Sequence, residues 1–298
     1  MSGVGLTEPP RSGGAGSAGA GAGRSTAEAG RVRSYVDYYL TRGRTQIQSE
    51  FQYRTATYFW LIGMLAEPIV YLVVWTTIAE QQGGEVAGVT TGEIAAYYIV
   101  WTLVRNMNIV FTPYGWEWRI REGQLSAALL RPIHPLHDDI AGFAGWKIPT
   151  IIFWLPIAAA LWLIFDPTLD PTLLEVAVFS VAIWGAYLIR TMFLSMLGMI
   201  TFWTTRVSAI FELMIALELL LSGRLVPLEF MPQWAQDVAG FLPFQWSFYF
   251  PIQSLVGDYS TGELLGGLAM QAFWIAVLMG MTMVVWRFAV RRYSAVGN

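Results

Sequence analysis

The chain has 298 residues, of which 55% are hydrophobic and only 13% are charged, and its formal net charge is −3. A soluble domain carries about 25% charged residues, so this composition argues against a soluble globular protein and favours a membrane protein. The distribution of charge gives no sign of a basic nucleic-acid-binding face. The absence of cysteine excludes disulfides, Cys-ligated zinc and thiol catalysis.

The N-terminal part of the chain contains two segments of different character. Residues 1–30 are mostly Gly, Ala and Ser, and we predict a disordered tail because such a segment has little apolar surface to bury. Residues 31–56 repeat apolar side chains at helical spacing between arginines, which predicts an amphipathic helix lying on a membrane surface. A cytosolic helix packed on a partner protein is the alternative. The remainder, residues 31–298, is predicted to form one transmembrane domain.

Six apolar stretches follow, and they predict an all-α membrane protein. A helix needs about 20 apolar residues to cross roughly 30 Å of hydrocarbon. Five stretches fit that length, and the fourth is longer, so it is tilted or extends into the cytoplasm. The stretches lie near residues 58–79, 94–112, 143–165, 173–203, 207–225 and 264–286.

The basic residues predict the orientation in the membrane. Lys and Arg concentrate on the cytoplasmic side of membrane proteins. The connections on the other side, near 80–93, 166–172 and 226–262, contain neither residue, although Arg224 borders the last of them. Both termini are therefore predicted to be cytoplasmic, in a multi-pass protein of the cell membrane. The basic residues that support this are Arg31, Arg33, Arg42, Arg44, Arg54, Arg119, Arg121, Arg131, Arg206, Arg287, Arg291 and Arg292.

The connection at 226–262 is long, apolar and interrupted by prolines. Proline is tolerated at the start of a helix but not inside one. We therefore predict two short helices that dip into the outer leaflet and return. Non-helical backbone at membrane depth must be covered by protein, so this element should pack against the helix bundle.

Several ionisable residues fall inside the predicted spans. A charge at the bilayer centre costs at least about 2.5–3.5 kcal/mol, so each should face the interior, a cavity or an opposite charge. One interpretation is internal ion pairing, for instance of Glu67 with Arg105 or of Arg190 with Glu218. The other is a lining for a polar or cationic passage. The residues concerned are Glu67, Arg105, Arg190, Glu212 and Glu218.

No catalytic constellation is evident in the sequence. The chain lacks the GxxxxGK[ST] pattern of a P-loop, so it is not expected to bind ATP itself. His134 and His137 lie beside Asp138 and Asp139, but the spacing is loose and no third histidine exists, which favours a polar cytoplasmic turn over a metal site. We expect no metal, no cofactor and no enzymatic activity in this chain.

The cytoplasmic connection at 113–142 is suited to docking on a soluble partner. Residues 114–122 read as a surface helix that ends at Gly123, and a second short helix stops at Arg131-Pro132. Trp116 and Trp118 are predicted to anchor the near end at the membrane interface. The candidate contacts for a partner ATPase are Glu122, Gln124, Leu125 and Arg131.

Four sequence motifs occur in an order that resembles a known family. They are REGQLSAALLRPIHPL, SGRLVPLEFMPQW, FLPF and the tail RRYSAVGN. Over residues 31–298 the chain resembles the type-2 branch of ATP-binding-cassette (ABC) permeases, in a bacterial group with separate permease and ATPase chains. The resemblance implies an N-terminal interfacial helix, six spans, a cytoplasmic coupling helix, and extracellular re-entrant helices between spans five and six.

The resemblance also implies a function. Two ATPase subunits, which bind ATP and Mg, would drive alternating access in two permease subunits, the second being this chain or a paralogue. Spans two and five would lie near the pathway, and the exported compound would be a drug, lipid or glycan. Two alternatives remain: a proton-coupled secondary transporter using Glu67, Glu212 or Glu218, and a non-transporting scaffold. The absence of an internal repeat, and the restriction of broken helix to the outer side, argue against the first.

Overall fold

The computed structural model describes part of the chain, which divides into two compact units, Met1–Thr41 and Arg42–Asn298. Helices dominate throughout. The described residues are 18–86, 88–204, 207–224, 228 and 231–293.

Thirteen α-helices occur within this described part, together with one antiparallel hairpin in which Glu85 lies opposite Thr90. The hairpin strands are β1 (Glu85–Val86) and β2 (Val89–Thr90). The helices are α1 (Ala18–Gln52), α2 (Arg54–Gly63), α3 (Ala66–Gln81), α4 (Thr91–Asn108), α5 (Thr112–Arg121), α6 (Leu125–Leu129), α7 (Pro135–Phe165), α8 (Leu173–Met199), α9 (Ser208–Leu221), α10 (Gln233–Gly240), α11 (Pro243–Ser247), α12 (Tyr249–Val256) and α13 (Thr261–Ala289).

Helix α1 begins earlier than the sequence analysis predicts. It starts at Ala18, so the structure describes residues 18–30, which belong to the predicted tail, as helical. The alanines in this segment favour a helix, because alanine has the highest helix propensity. The predictions for residues 1–17, Arg206 and Pro227 lie outside the described residues.

The final turns of α1 pack closely on α7. A Cβ on Gly145 would lie 2.6 Å from the carbonyl oxygen of Gly43, so the two backbones approach as only glycine allows. Beside this contact, Arg42 Nε lies 3.0 Å from Asp138 Oδ1. Residues 42–52 are thus attached to the bundle.

Five long apolar helical segments in the described residues are suited to crossing a membrane, which confirms an all-α membrane protein. They correspond to predicted spans one, two, three, four and six. The predicted fifth span is α9, which has 14 residues. At 1.5 Å per residue it is about 21 Å long, shorter than the roughly 30 Å hydrocarbon layer. The five segments are Arg54–Gln81, Thr91–Arg121, Pro135–Phe165, Leu173–Phe202 and Thr261–Arg292.

The first two of these segments are broken. The first changes from α2 to α3 after Gly63, and the second changes from α4 to α5 around Ile109. Pro68 and Pro113 lie in the first turns of α3 and α5, where each proline removes a backbone donor and displaces the carbonyl four residues earlier. The expectation that broken helix occurs only on the outer side is therefore wrong.

Helix α4 lies at the centre of the second unit. Its residues are almost all buried, and it packs against α3, α7, α8 and α12. A capping box fixes its first turn, in which Thr90 Oγ1 accepts from the Glu93 backbone and the Glu93 carboxylate accepts from Thr90. The run from Ile94 to Val104 is apolar on all faces of the helix, as expected for a helix that is buried on every side.

The connection after α9 contains three short helices in its described part, α10, α11 and α12, where the sequence analysis predicts two. Pro232, Pro243 and Pro251 each lie at or near a helix start, as the reasoning from proline requires. Helix α12 is mostly buried against α4 and α8. The prediction that this connection packs on the bundle is confirmed.

Candidate functional site

A carboxylate bound by two arginines lies just after the break in the first span. Glu67 is in the first turn of α3, where the partial positive charge of the helix start favours a carboxylate. Its Oε2 lies 2.5 Å from Arg105 Nη2, and its Oε1 lies 3.0 Å from Arg224 Nη2. Arg105 also donates to the Met64 carbonyl, 3.4 Å away, which Pro68 displaces from the helix ladder. The pair of Glu67 with Arg105 is one that the sequence analysis considers.

Trp101 of α4 holds both arginines in place. The guanidinium carbons of Arg105 and Arg224 lie 5.7 Å and 6.0 Å from the ring centroid, within range of cation–π attraction. Trp101 Nε1 donates to the Arg224 carbonyl at 3.1 Å, and the Tyr97 hydroxyl donates to the Gly223 carbonyl at 2.8 Å. The turn after α9 is therefore fixed to the central helix.

A second ion pair joins α8 to α9. Arg190 Nη1 contacts Glu218 Oε2, and both side chains are almost completely buried. Glu212 lies on the same helix as Glu218, but it is exposed, so the expectation that it faces the interior, a cavity or an opposite charge is wrong for this chain. Six residues rotate a helix by about 240°, which directs the two glutamates to different faces, and Glu212 lies near the start of α9 rather than its middle.

These charged groups border one cavity of about 210 Å³. Arg105, Arg190, Arg224 and Glu218 supply charge, and Glu67 is linked to two of these arginines. The structure thus brings together residues of predicted spans one, two, four and five. The apolar lining residues are Ile109, Val110, Phe111, Phe211, Ile215 and Phe248.

The sequence analysis does not identify two interior charges of this region. It places Arg224 at the edge of a connection, yet Arg224 is the one basic residue beside the connections that otherwise contain no Lys or Arg, and this exception is a signal of a buried role. Lys147 lies inside predicted span three and is the only lysine in the sequence. Its buried Nζ donates to the carbonyls of Asn106, at 3.0 Å, and Ile109, at 2.5 Å. The Ile109 carbonyl is the one displaced by Pro113.

The connection between α5 and α7, residues 122–134, is called the coupling segment below. Gly123, with φ +68°, separates α5 from α6, at the position that the sequence predicts for a helix end. Tyr293, near the C-terminus, donates to the Gly123 carbonyl at 3.1 Å and lies 2.8 Å from Ser126 Oγ, which donates in turn. The C-terminal turn therefore holds the coupling segment from one side.

The exposure of the coupling segment differs from the sequence prediction at one position. Glu122, Gln124 and Arg131 are exposed as expected. Leu125 is fully buried, so its assignment as an exposed contact is wrong, whereas Leu130 is 88% exposed. Leu125 is the first residue of α6 and Leu130 directly follows its last, and only Leu125 faces the bundle.

The same packing corrects the interpretation of Trp116. Its indole is fully buried with Leu125 and Met199 rather than at a membrane interface. Trp118 is exposed, which is consistent with an interfacial position. Arg119 lies over the Trp116 ring and binds both carboxylate oxygens of Asp139 at 2.8 Å, which ties α5 to α7.

The histidine and aspartate side chains beside this segment have structural roles. Asp138 binds Arg42, and Asp139 binds Arg119. His134 Nδ1 accepts from the Leu136 backbone at 3.1 Å and so caps α7. Burial, with a smaller contribution from His137, lowers the pKa of His134 to about 4, which keeps it neutral as an acceptor. Among the described residues, no group of three or more His, Cys, Asp or Glu side chains is arranged to hold a metal ion.

A second cavity, of about 180 Å³, lies between the hairpin, α4 and the end of α12. Its walls include Trp75, Tyr97 and Tyr98, with Glu93 and Asp258 as the charged groups. Glu93 is engaged in the capping box of α4. The charged residues of this second cavity are both acidic, whereas three of the four that line the first cavity, called the arginine-lined cavity below, are arginines.

Apolar helices around a charged interior define the chain as a multi-pass membrane protein. The profile of a family described as ABC-2 family transporter proteins matches residues 65–297. The chain belongs to this family. A search of curated proteins finds no match.

Proposed function

We propose that this chain is the permease subunit of an ATP-driven exporter that moves a hydrophobic or amphipathic compound by alternating access. The observation that supports this most directly is the coupling segment, which is fixed at both ends and presents an exposed surface. Family membership makes an ABC permease the expected class. These 298 residues contain no P-loop, and we assign the binding of ATP and Mg and the hydrolysis of the nucleotide to a separate ATPase chain.

The surface of the coupling segment suits a protein partner. Leu130 is 88% exposed and Leu129 is 37% exposed, and Glu122, Gln124 and Arg131 are exposed in the same segment. Apolar side chains on a largely polar surface suit a protein contact, since they fill a pocket while the polar rim stays solvated.

The contacts behind this surface give a route for force. Leu125 and Trp116 pack on Met199 at the end of α8, and Arg119 with Asp139 connects α5 to α7. A push on the coupling segment would therefore move the ends of three spans together. Because α4 continues into α5 and borders the arginine-lined cavity, such a movement would reach that cavity.

The proposed assembly has two permease subunits, the second being this chain or a paralogue, and two ATPase subunits. Both termini and the coupling segment would lie in the cytoplasm. Helix α9, with the turn after it, would serve as the fifth of six spans, and α10, α11 and α12 would form the re-entrant element on the outer side. The segregation of Lys and Arg supports this arrangement.

The test uses matched aspartate substitutions at two leucines with nearly equal exposure. Leu130 is 88% exposed in the coupling segment, and Leu173 is 86% exposed at the start of α8, on the predicted outer side. We expect Leu130→Asp to lower co-purification of the ATPase at least about tenfold, since a contact residue of this kind contributes more than about 1.4 kcal/mol. Leu173→Asp should leave association unchanged. Normal association and coupled hydrolysis in Leu130→Asp would refute the assignment.

A proton-coupled secondary transporter is the second candidate, because broken spans beside an interior carboxylate are common in that class. Both breaks and Glu67 fit it. However, Glu67 and Glu218 are both engaged in ion pairs with arginines, which is typical of structural pairing rather than of a carboxylate open to an incoming proton donor. Transport by the chain alone, driven by a proton gradient after ATP depletion, would establish this candidate instead.

A further inference from the structure

We propose that the arginine-lined cavity binds the anionic group of an amphipathic substrate, with phosphate or carboxylate as the recognised chemistry. This inference rests on the proposed function, since it takes the cavity as part of the export pathway. It differs from the sequence-based hypothesis of a polar or cationic passage.

The charge balance around the cavity is the first argument. Arg105, Arg190 and Arg224 face two carboxylates, Glu67 and Glu218, which leaves one net positive charge. Isolated charge in a buried site is costly, so this surplus is most stable when an anion neutralises it.

The second argument is the supply of free donors. The Nε atoms of Arg105, Arg190 and Arg224 are buried and have no hydrogen-bond partner within the described part of the chain. Buried polar groups normally have partners, so these three nitrogens can gain hydrogen bonds if the arginine side chains turn toward an anion in the cavity. Guanidinium groups bind phosphate and carboxylate through paired donors, which matches this arrangement.

The third argument concerns the rest of the ligand. Phe111, Phe211, Ile215 and Phe248 line the same cavity, so an apolar segment can follow the anionic group. The cavity volume of about 210 Å³ is below the roughly 300–1,000 Å³ of pockets that enclose whole drug-sized ligands. It therefore suits a headgroup and the first part of a chain, with the remainder extending out of the cavity.

The carboxylates do not offer an equivalent site for a cation. Both oxygens of Glu67 are engaged by arginines, and Glu218 is engaged by Arg190. An incoming cation would have to displace a guanidinium group and would add to the positive surplus.

The experiment measures ligand binding to the purified full-length chain in a neutral detergent, by calorimetry, without the ATPase. The probes share a dodecyl chain and differ in headgroup: phosphate monoester, trimethylammonium and maltoside. Inorganic phosphate is a fourth arm. We expect dodecyl phosphate to bind at least about tenfold more tightly than the other three, since charge-assisted hydrogen bonds contribute about 1.5–3 kcal/mol. Equal binding of all headgroups, or preference for trimethylammonium, would overturn the proposal. If inorganic phosphate bound as tightly as dodecyl phosphate, the claim that the ligand is amphipathic would be rejected.

Two substitutions separate recognition from structural damage. Arg224→Gln removes one positive charge and should weaken dodecyl phosphate binding about tenfold, whereas Glu218→Gln removes a negative charge and should strengthen it. A purely structural role would make both substitutions weaken binding, and that result would contradict the proposal. Arg287→Gln, at an exposed position near the end of α13, is the matched control and should have no effect.

This test is independent of the proposed function. Loss of headgroup preference with normal ATPase association would reject the anion site and leave the exporter intact. Clear preference for dodecyl phosphate, combined with normal coupling in Leu130→Asp, would support the anion site and reject the coupling assignment.

Discussion

At the scale of single residues, two prolines and two cations have linked roles. Pro68 displaces the Met64 carbonyl, to which Arg105 donates, and Pro113 displaces the Ile109 carbonyl, to which Lys147 donates. A free carbonyl inside a membrane protein is costly, because no water is present to satisfy it. Each break is therefore stabilised by a buried cation from another helix.

Lys147 gives a test of this relation. Lys147→Met leaves the Asn106 and Ile109 carbonyls without their donor, so we expect the free energy of unfolding to fall by about 2–3 kcal/mol. The measurement is thermal unfolding in detergent. Arg121→Met, which removes an exposed cation paired with Glu117, is the control and should change stability by only about 0.5 kcal/mol.

Because Lys147 is the only lysine, amine labelling offers a second measurement on the unaltered chain. An amine-reactive reagent should modify Lys147 only after unfolding, since its side chain is fully buried. Rapid modification of the folded protein would show that Lys147 is accessible and would contradict its role at the break.

At the scale of elements, the attachment of the end of α1 to α7 depends on the absence of a side chain. Gly145→Ala would place its Cβ 2.6 Å from the Gly43 carbonyl oxygen and 2.9 Å from the Gly43 Cα. Both atoms belong to backbone, so they cannot rotate away, and we expect a loss of about 1–3 kcal/mol in the free energy of unfolding.

Gly280 in α13 is the matched control for this substitution. No atom lies within 4 Å of a Cβ built there, so Gly280→Ala should leave stability unchanged or raise it by up to about 1 kcal/mol through helix propensity. Equal melting temperatures for the two alanine variants would show that the close contact contributes nothing to stability.

At the scale of the whole molecule, the separation of basic residues predicts which ends of the bundle face the cytoplasm. The chain has no cysteine, so single cysteines can report accessibility without background labelling. Cysteines at Glu85 and Asp237 should react with a membrane-impermeant thiol reagent added outside sealed cells. A cysteine at Glu122 should react only after the membrane is made permeable. All three positions are exposed and avoid glycines with positive φ.

Labelling of Glu122→Cys from outside would reverse the predicted orientation. It would also place the coupling segment where no ATPase can reach it, and so would contradict the proposed function. Failure of Asp237→Cys to react from either side would instead indicate that α10 is covered by another subunit or by lipid.

Several features of this protein can be predicted from local composition alone. The long apolar segments, the helix ends at Gly123 and before Pro132, and the short proline-started helices follow from span length, backbone freedom and missing donors. The ionisable residues inside the spans, apart from Glu212, also indicate the interior, because burial of charge is costly wherever it occurs.

Only the tertiary structure decided which side chains meet. Arg224 reaches Glu67 across 157 positions of sequence, a distance at which helical spacing carries no information. In the same way, Leu125 is buried and Leu130 exposed because Trp116 and Met199 lie behind one face of α6. Glu218 faces inward while Glu212 faces outward because Arg190 of α8 lies against one side of α9. Local chemistry sets where a helix begins and ends, but packing between distant segments sets what each face contacts.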